Sequence, residues 1–219
     1  MRKATFFIDG FNLYHSLDNL RDFRKYKWLN LWKFAESILL PNDNLLEVNY
    51  FTAYTDWNTD RMKRHQEYVF LNEHAGCNVT LGKFFRKDRT CMAECKTPCL
   101  GGIKRFCQKR YIAHEEKMTD VNIAVGIVRA AALKTCESIY LLSGDNDLLP
   151  ALKTAMEISP DTRIRVVLPT NSKAKSIINF CINNGLKHIR IKEKHLCVSQ
   201  FPDPVVVNGV TYTKPTHWV

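Results

Sequence analysis

Two carboxylates stand two residues apart in the stretch Ser143-Gly144-Asp145-Asn146-Asp147. Acids at that spacing have two common uses: holding a divalent cation such as Mg2+, or sharing a proton as acid and base. Taken alone, the pair has a plainer reading, with Asp147 capping a helix and Asp145 in a turn. Two further places bear on the choice. Asp9-Gly10-Phe11-Asn12 sets another acid beside an amide that could either orient it or cap a helix. Thr119-Asp120 opens an apolar helical pattern, where Asp120 reads as a cap or as a fourth acid of the same site.

The elements that must carry these residues can be read from the apolar pattern. Ala4-Thr5-Phe6-Phe7-Ile8 ends at Asp9, and Ile139-Tyr140-Leu141-Leu142 ends at Ser143. Short runs of this kind, rich in branched and aromatic residues, predict buried strands. Further strands are expected over 45–54, 77–85, 163–168 and 188–191. Helices are expected over 29–40, 59–74, 119–135 and 174–183, with Pro41 and Gly185 as stops and Gly76 as a C-cap. Strands alternating with helices predict one α/β domain built on a mostly parallel sheet. In such sheets ligands bind at the carboxyl edge, and there Asp9, Asp120, Asp145 and Asp147 can converge. Four acids in one place repel unless a cation neutralises them or some stay protonated. Mg2+ or Mn2+ is the expected cation, since both take hard oxygen ligands and retain waters.

The 219 residues suffice for one such domain with a full core, and the 45% hydrophobic and 25% charged fractions are ordinary for a globular chain. Nothing resembles a transmembrane span or a signal peptide, so a cytoplasmic location with reduced or metal-bound cysteines is expected. The net charge of +10 favours a polyanionic partner. Much of it lies in residues 83–117, where ten Lys/Arg face four Asp/Glu. That stretch has no periodic apolar face and carries Cys91, Cys95, Cys99 and Cys107. Four thiolates would order it around a structural Zn2+, with His114 as a possible substitute ligand. The spacing departs from the usual paired C-x2-C, and the plainer reading is an exposed loop with free thiols. Cys77, Cys136, Cys181 and Cys197 read as small core residues. Residues after Ser199 read as a surface tail. The division expected is a domain over 1–198, an insertion at about 86–114, and a tail over 199–219.

Asp9-Gly10-Phe11-Asn12, Glu116-Lys117-Met118-Thr119-Asp120-Val121-Asn122-Ile123-Ala124 and Ser143-Gly144-Asp145-Asn146-Asp147 together resemble the NYN domain family of PIN-like nucleases. The resemblance runs from the first strand to about Ile191. It implies a three-layer PIN-like fold and a metal-dependent ribonuclease. Carried over by position, Asp9, Asp120, Asp145 and Asp147 would be the acidic metal-site residues, with Asn12 and Ser143 orienting them. Hydrolysis would then use metal-activated water, with Asp9 and Asp145 as direct ligands. Lys117, Lys173 and Lys175 could contact an RNA backbone, or could simply be solvated. Many relatives carry an Asp where Gly126 stands here. Its absence leaves either a working four-acid site or an RNA-binding module with an incomplete one. A Toprim-like or haloacid-dehalogenase-like phosphotransferase fits less well, because Phe11 stands where the latter needs its second Asp.

Overall fold

The computed structural model describes residues 1–93 and 106–218. The chain runs β1 (Arg2–Asp9), α1 (Gly10–Asp18), α2 (Leu31–Ile38), β2 (Asp43–Thr52), α3 (Thr59–His74) and β3 (Asn78–Leu81). Next come β4 (Lys83–Thr90), β5 (Arg110–Lys117), α4 (Thr119–Ala132), β6 (Ser138–Leu142), α5 (Leu149–Ile158) and β7 (Arg163–Leu168). The last elements are α6 (Lys175–Asn183), β8 (Lys187–Arg190), α7 (Glu193–Cys197), β9 (Val205–Val207) and β10 (Val210–Tyr212). Six strands pair in the order β3-β2-β1-β6-β7-β8, all parallel. The expected α/β fold with three layers therefore forms, with β1 at its centre.

Period-two alternation divides β1 between two cores. Phe6 and Ile8 join Tyr140 and Leu142 on one face, beneath Leu13 and Leu17 of α1 and Phe34 of α2. Phe7 joins Ile139 and Leu141 on the other, beneath Ile123 and Ile127 of α4 and Leu152 of α5. From β1 the chain moves outward to β2 and β3, then crosses to β6 and moves outward the other way. The strand order thus reverses between β1 and β6, and the crevice beyond their carboxyl ends is where α/β sheets bind ligands.

At the opposite end of these strands Asp43 is fully buried. It accepts hydrogen bonds from Arg2 Nε (2.7 Å), the Tyr140 hydroxyl (2.6 Å) and the Ser138 hydroxyl (3.3 Å), with Arg165 Nε 3.7 Å away. One carboxylate so joins β1, β2, β6 and β7. Burial alone would raise its pKa, but the bonds from Tyr140 and Arg2 and the two guanidinium charges outweigh it and hold it below the usual range. A depressed folded pKa adds stability above the unfolded value, lost as pH falls through the folded one. We expect Asp43→Asn to lower unfolding free energy by about 2 kcal/mol at pH 7. In urea titrations the gap to the native chain should close as the buffer drops below about pH 4.

Several expectations are corrected. The helix expected over 29–40 is shorter, because Asn30 caps it by accepting from Lys33 N (3.0 Å) while Leu29 bridges to Gln200. The strand expected over 77–85 breaks at Gly82. A Cβ there would lie 2.5 Å from Glu116 Oε1 and 2.9 Å from Lys117 O, so only glycine lets the chain leave the sheet beside β5. Beyond it, β4 pairs antiparallel with β5 from Lys83↔Lys117 to Thr90↔Arg110. The described part of the basic insertion is thus a β-ribbon, ordered by backbone hydrogen bonds between β4 and β5. Cys91 and Cys107 stand at its far end, and Cys95 and Cys99 lie outside the described residues. His114 pairs with Arg86, five residues and about 16 Å of strand before Cys91.

The segment after Ser199 is not a surface tail. Asn208-Gly209, both with positive φ, turns β9 into β10, and Phe201, Val207 and Trp218 enter the core. Trp28 packs against Phe201 and Trp218 and donates to Pro202 O (3.1 Å). Cys77, Cys136 and Cys181 are buried as expected, whereas Cys197 is exposed, its thiol donating to the Tyr26 hydroxyl. No described helix is long and apolar enough to cross a membrane.

Candidate active site

Where β1 ends, Asp9 is both the last strand residue and the N-cap of α1, accepting from Asn12 N at 3.0 Å. Its Oδ2 accepts from Asn12 Nδ2 (2.6 Å) and from the Ser143 hydroxyl (2.8 Å) at the end of β6. Asn12 Oδ1 in turn accepts from Gly144 N (3.1 Å), and Ser143 Oγ accepts from Asp145 N (3.0 Å). This ring of bonds ties the two central strand ends together. A carboxylate offers about four lone-pair positions. Three donors reach Asp9, leaving about one, on Oδ1, for anything else. Asp145 is engaged more lightly, its Oδ1 accepting from Asp147 N (3.0 Å).

Asp120 enters from the first turn of α4. Neither it nor Thr119 caps that helix, contrary to expectation. Met118 takes a left-handed conformation at φ 83, and Glu116 reaches forward to accept from Thr119 N (3.1 Å) and the Thr119 hydroxyl. With the cap supplied by Glu116, the Asp120 carboxylate stays free to face Asp9 and Asp145. These three and Glu116 line one pocket of about 320 Å³. Asn12 lines it too, while Ser143 lies buried beneath, bonded to Asp9.

Asp147 and the lysines fall elsewhere. Asp147 is exposed and outside the pocket lining, and its backbone N–H positions Asp145. Lys117 is exposed and 3.6 Å from Glu115, while Lys173 and Lys175 lie exposed around the start of α6. Glu116, His15, His114, Phe11 and Phe84 line the pocket without having been expected there. Glu116 and His114 had a signal, since alternate residues of a strand that leads into Asp120 share one face. Phe11, Asn12 and His15 also line an adjoining pocket of about 320 Å³ that reaches Pro169, Thr170 and Ser172, so the crevice continues along the sheet edge.

Gly126 points away from all of this. A Cβ there would meet Phe7 Cε1 at 2.9 Å and Phe51 Cζ at 3.6 Å. The position serves close packing of α4 on the sheet, and an acid placed there would face two aromatic rings.

Crowded acids change one another. Burial pushes Asp9 above the usual carboxylate range, against hydrogen bonds from Asn12 and Ser143, with the Asp145 charge adding to the rise. Asp120 is pushed up to about 6, by burial first and then by Asp9, Asp145, Glu116 and Asp147. A raised folded pKa means that the folded state holds the extra proton between about pH 4 and 6, and stability falls as pH rises through that window. At pH 7 the ionised Asp120 is therefore a net cost. We expect Asp120→Asn to stabilise the protein in EDTA by about 1 kcal/mol at pH 7, reduced from the full shift because the group is partly solvated. The gain should vanish near pH 4. Thermal unfolding at both pH values tests it, and a destabilised variant at pH 7 would contradict it.

Among the described residues no group of three or more His, Cys, Asp and Glu side chains is gathered tightly enough to form a ready metal cage. The oxygen donors of Asp9, Asp120 and Asp145 instead suit a hard cation held by one or two carboxylates with waters completing its shell.

The NYN domain model matches residues 3–184. Over 241 residues the chain is 26% identical to 6-hydroxy-3-succinoylpyridine 3-monooxygenase HspA of Pseudomonas putida (strain DSM 28022 / S16), covering 99% of this chain and 75% of that protein. Its fold is similar to that of VPA0982, a protein of unknown function from Vibrio parahaemolyticus RIMD 2210633. That likeness has a TM-score of 0.52 at 13% identity, over 91% of this chain and 96% of the other, and speaks for the fold alone. With strand-end acids in place and a family match spanning most of its length, the chain belongs to the NYN domain family of the PIN-like nuclease superfamily, a family of nuclease-like, RNA-related character.

Proposed function

We propose that the protein is a divalent-metal-dependent endoribonuclease whose centre is the pocket of Asp9, Asp120 and Asp145. The observation that carries this reading is the meeting of three carboxylates at the crevice between β1 and β6, with Asp9 and Asp120 both held above their ordinary pKa by burial and mutual charge. Such a site gains most from a hard cation, which relieves the repulsion. Bound there, Mg2+ or Mn2+ would lower the pKa of a water and offset charge on the phosphate. Asp9 and Asp145 would be direct ligands. Asn12 and Ser143 hold Asp9 in one orientation, and Asp120 would accept hydrogen bonds from the attacking water or from metal waters. Asp147 acts chiefly through its backbone bond to Asp145.

Gly126 does not favour the alternative of an inactive RNA-binding module, since its position faces Phe7 and not the pocket. The relative named as a monooxygenase would point to a small aromatic acid. Either anion would need a cation among these carboxylates. Shape and charge separate them: the crevice continues into a second pocket and lies beside a basic ribbon, which suits a polymer. We also propose one structural Zn2+ at the ribbon's far end, on Cys91, Cys95, Cys99 and Cys107. Cys91 and Cys107 are brought onto facing chain segments there by Gln108 N→Cys91 O and Cys107 N→Ala93 O, both 2.9 Å.

The test is incubation of the pure protein with end-labelled single-stranded RNA in Mg2+, Mn2+ or EDTA. Fragments should form with either ion and not in EDTA. Undiminished cleavage in EDTA would overturn the metal-dependent reading.

A further inference from the structure

The pocket has a wall that its acids do not explain. Trp57, in the loop between β2 and α3, stacks on His114 of β5 with ring centroids 3.7 Å apart and planes 16° from parallel. Phe84 of β4 meets Trp57 edge-on at 4.8 Å, and Phe11 of α1 meets Phe84 edge-on at 5.6 Å. Phe11, Phe84 and His114 line the acidic pocket, Phe11 borders the adjoining one as well, and Trp57 stands against His114 and Phe84 outside both linings. Neither Trp57, Phe84 nor Phe11 belongs to either hydrophobic core. Trp57 keeps 43% of its surface exposed. A large ring left half-open beside a polar pocket loses burial energy that a core position would supply, so its placement calls for another partner.

The ribbon indicates that partner by its charge. Antiparallel register puts Phe84 opposite Glu116 and Arg86 opposite His114. Side chains of Phe84, Arg86, His114 and Glu116 therefore share the ribbon face turned to the pocket. Moving outward along that face, the residue types change from carboxylate and phenyl to imidazole and guanidinium. Lys87, Arg89 and Lys117 alternate onto the opposite face, where Glu115 draws all three. An aromatic surface with the Arg86 guanidinium beyond it matches a single-stranded polynucleotide, whose bases stack while a phosphate meets the positive charge.

We propose that Trp57, backed by His114 and Phe84, is a base-stacking subsite that holds an unpaired nucleobase beside the acidic pocket, with Arg86 receiving the adjoining phosphate. It rests on the nuclease reading only for the role of the pocket. The subsite makes the protein select single strands, since a base inside a duplex has no free face for Trp57. A stacked base next to the pocket would also place the neighbouring phosphodiester over Asp9, Asp120 and Asp145.

The probe is a short fluorescent single-stranded RNA in EDTA, measured by anisotropy, with the same sequence as a duplex for comparison. Trp57→Ala should weaken single-strand binding about tenfold, and Trp57→Phe, which keeps an aromatic face, should lose much less. Duplex binding should be weaker in the native protein and unchanged by Trp57→Ala. RNA should also quench native tryptophan fluorescence, with most of that quenching lost in Trp57→Phe, because Trp28 and Trp218 are buried and Trp32 packs half-buried against the core from α2. Equal single-strand affinity for native and Trp57→Ala proteins overturns the proposal, as does absence of single-strand binding by the native protein. Because binding is read in EDTA, the two readings separate. A Trp57 effect without metal-dependent cleavage leaves the stacking subsite and removes the nuclease. Cleavage with no Trp57 effect does the reverse.

Discussion

Asp145→Asn should reduce RNA cleavage in saturating Mg2+ or Mn2+ by about two to four orders of magnitude while leaving the fold intact. Asparagine has the shape of aspartate, and its carbonyl can still accept from Asp147 N, so the short helical turn at 146–148 survives. What is lost is the negative charge and a hard anionic oxygen at the mouth of the crevice, which cation binding and transition-state stabilisation both require. Asp9→Asn is a less clean test. Asp9 Oδ2 already accepts from Asn12 Nδ2 and the Ser143 hydroxyl, and Oδ1 accepts from Asn12 N, so an amide there sets donor against donor in either orientation. Single-turnover cleavage of labelled RNA, with circular dichroism to verify folding, measures the effect. Full activity in a folded Asp145→Asn protein would remove this pocket from the chemistry.

Gly126→Asp should destabilise the protein by about 3 kcal/mol and leave cation affinity no better. Its Cβ would press on Phe7, which is 3% exposed and packs with Phe51 at a centroid distance of 6.2 Å. Overfilling a packed contact costs about 1–3 kcal/mol, and bringing a carboxylate against two rings adds desolvation without a partner. For a chain of this size that corresponds to a fall of roughly 10 °C in Tm. Differential scanning calorimetry with a parallel Mn2+ titration decides the matter. An unchanged Tm together with tighter Mn2+ binding would mean that position 126 faces the acids after all.

The readable parts of this molecule share a cause. Asp9 and Asp145 follow compact apolar runs, so their place at strand ends follows from burial alone. Asp120 and Ser143 came with the same elements. The ribbon was hidden because β4 and β5 stand clear of both cores and expose both faces, leaving no apolar alternation to detect. His114 and Glu116 carried only the weaker signal of alternate positions just ahead of Asp120. The Asn208-Gly209 turn carries a local signal that the tail reading passed over, and burial of Trp218 against Trp28 depends on contacts across the chain that no short window contains. Gly126 illustrates the opposite limit. A missing acid in a sequence pattern looks like a missing ligand, until the helix shows which way its Cβ would point.

The central claim is that a divalent cation binds where the ends of β1 and β6 meet α4. Calorimetric titration of Mn2+ into metal-free native, Asp145→Asn and Asp147→Asn proteins tests it most directly. The account predicts saturable binding to the native chain, loss of at least about tenfold in affinity in Asp145→Asn, and a much smaller change in Asp147→Asn, whose side chain lies outside the pocket. Equal Mn2+ affinity in all three proteins, or none in a native protein that still cleaves RNA, would contradict it.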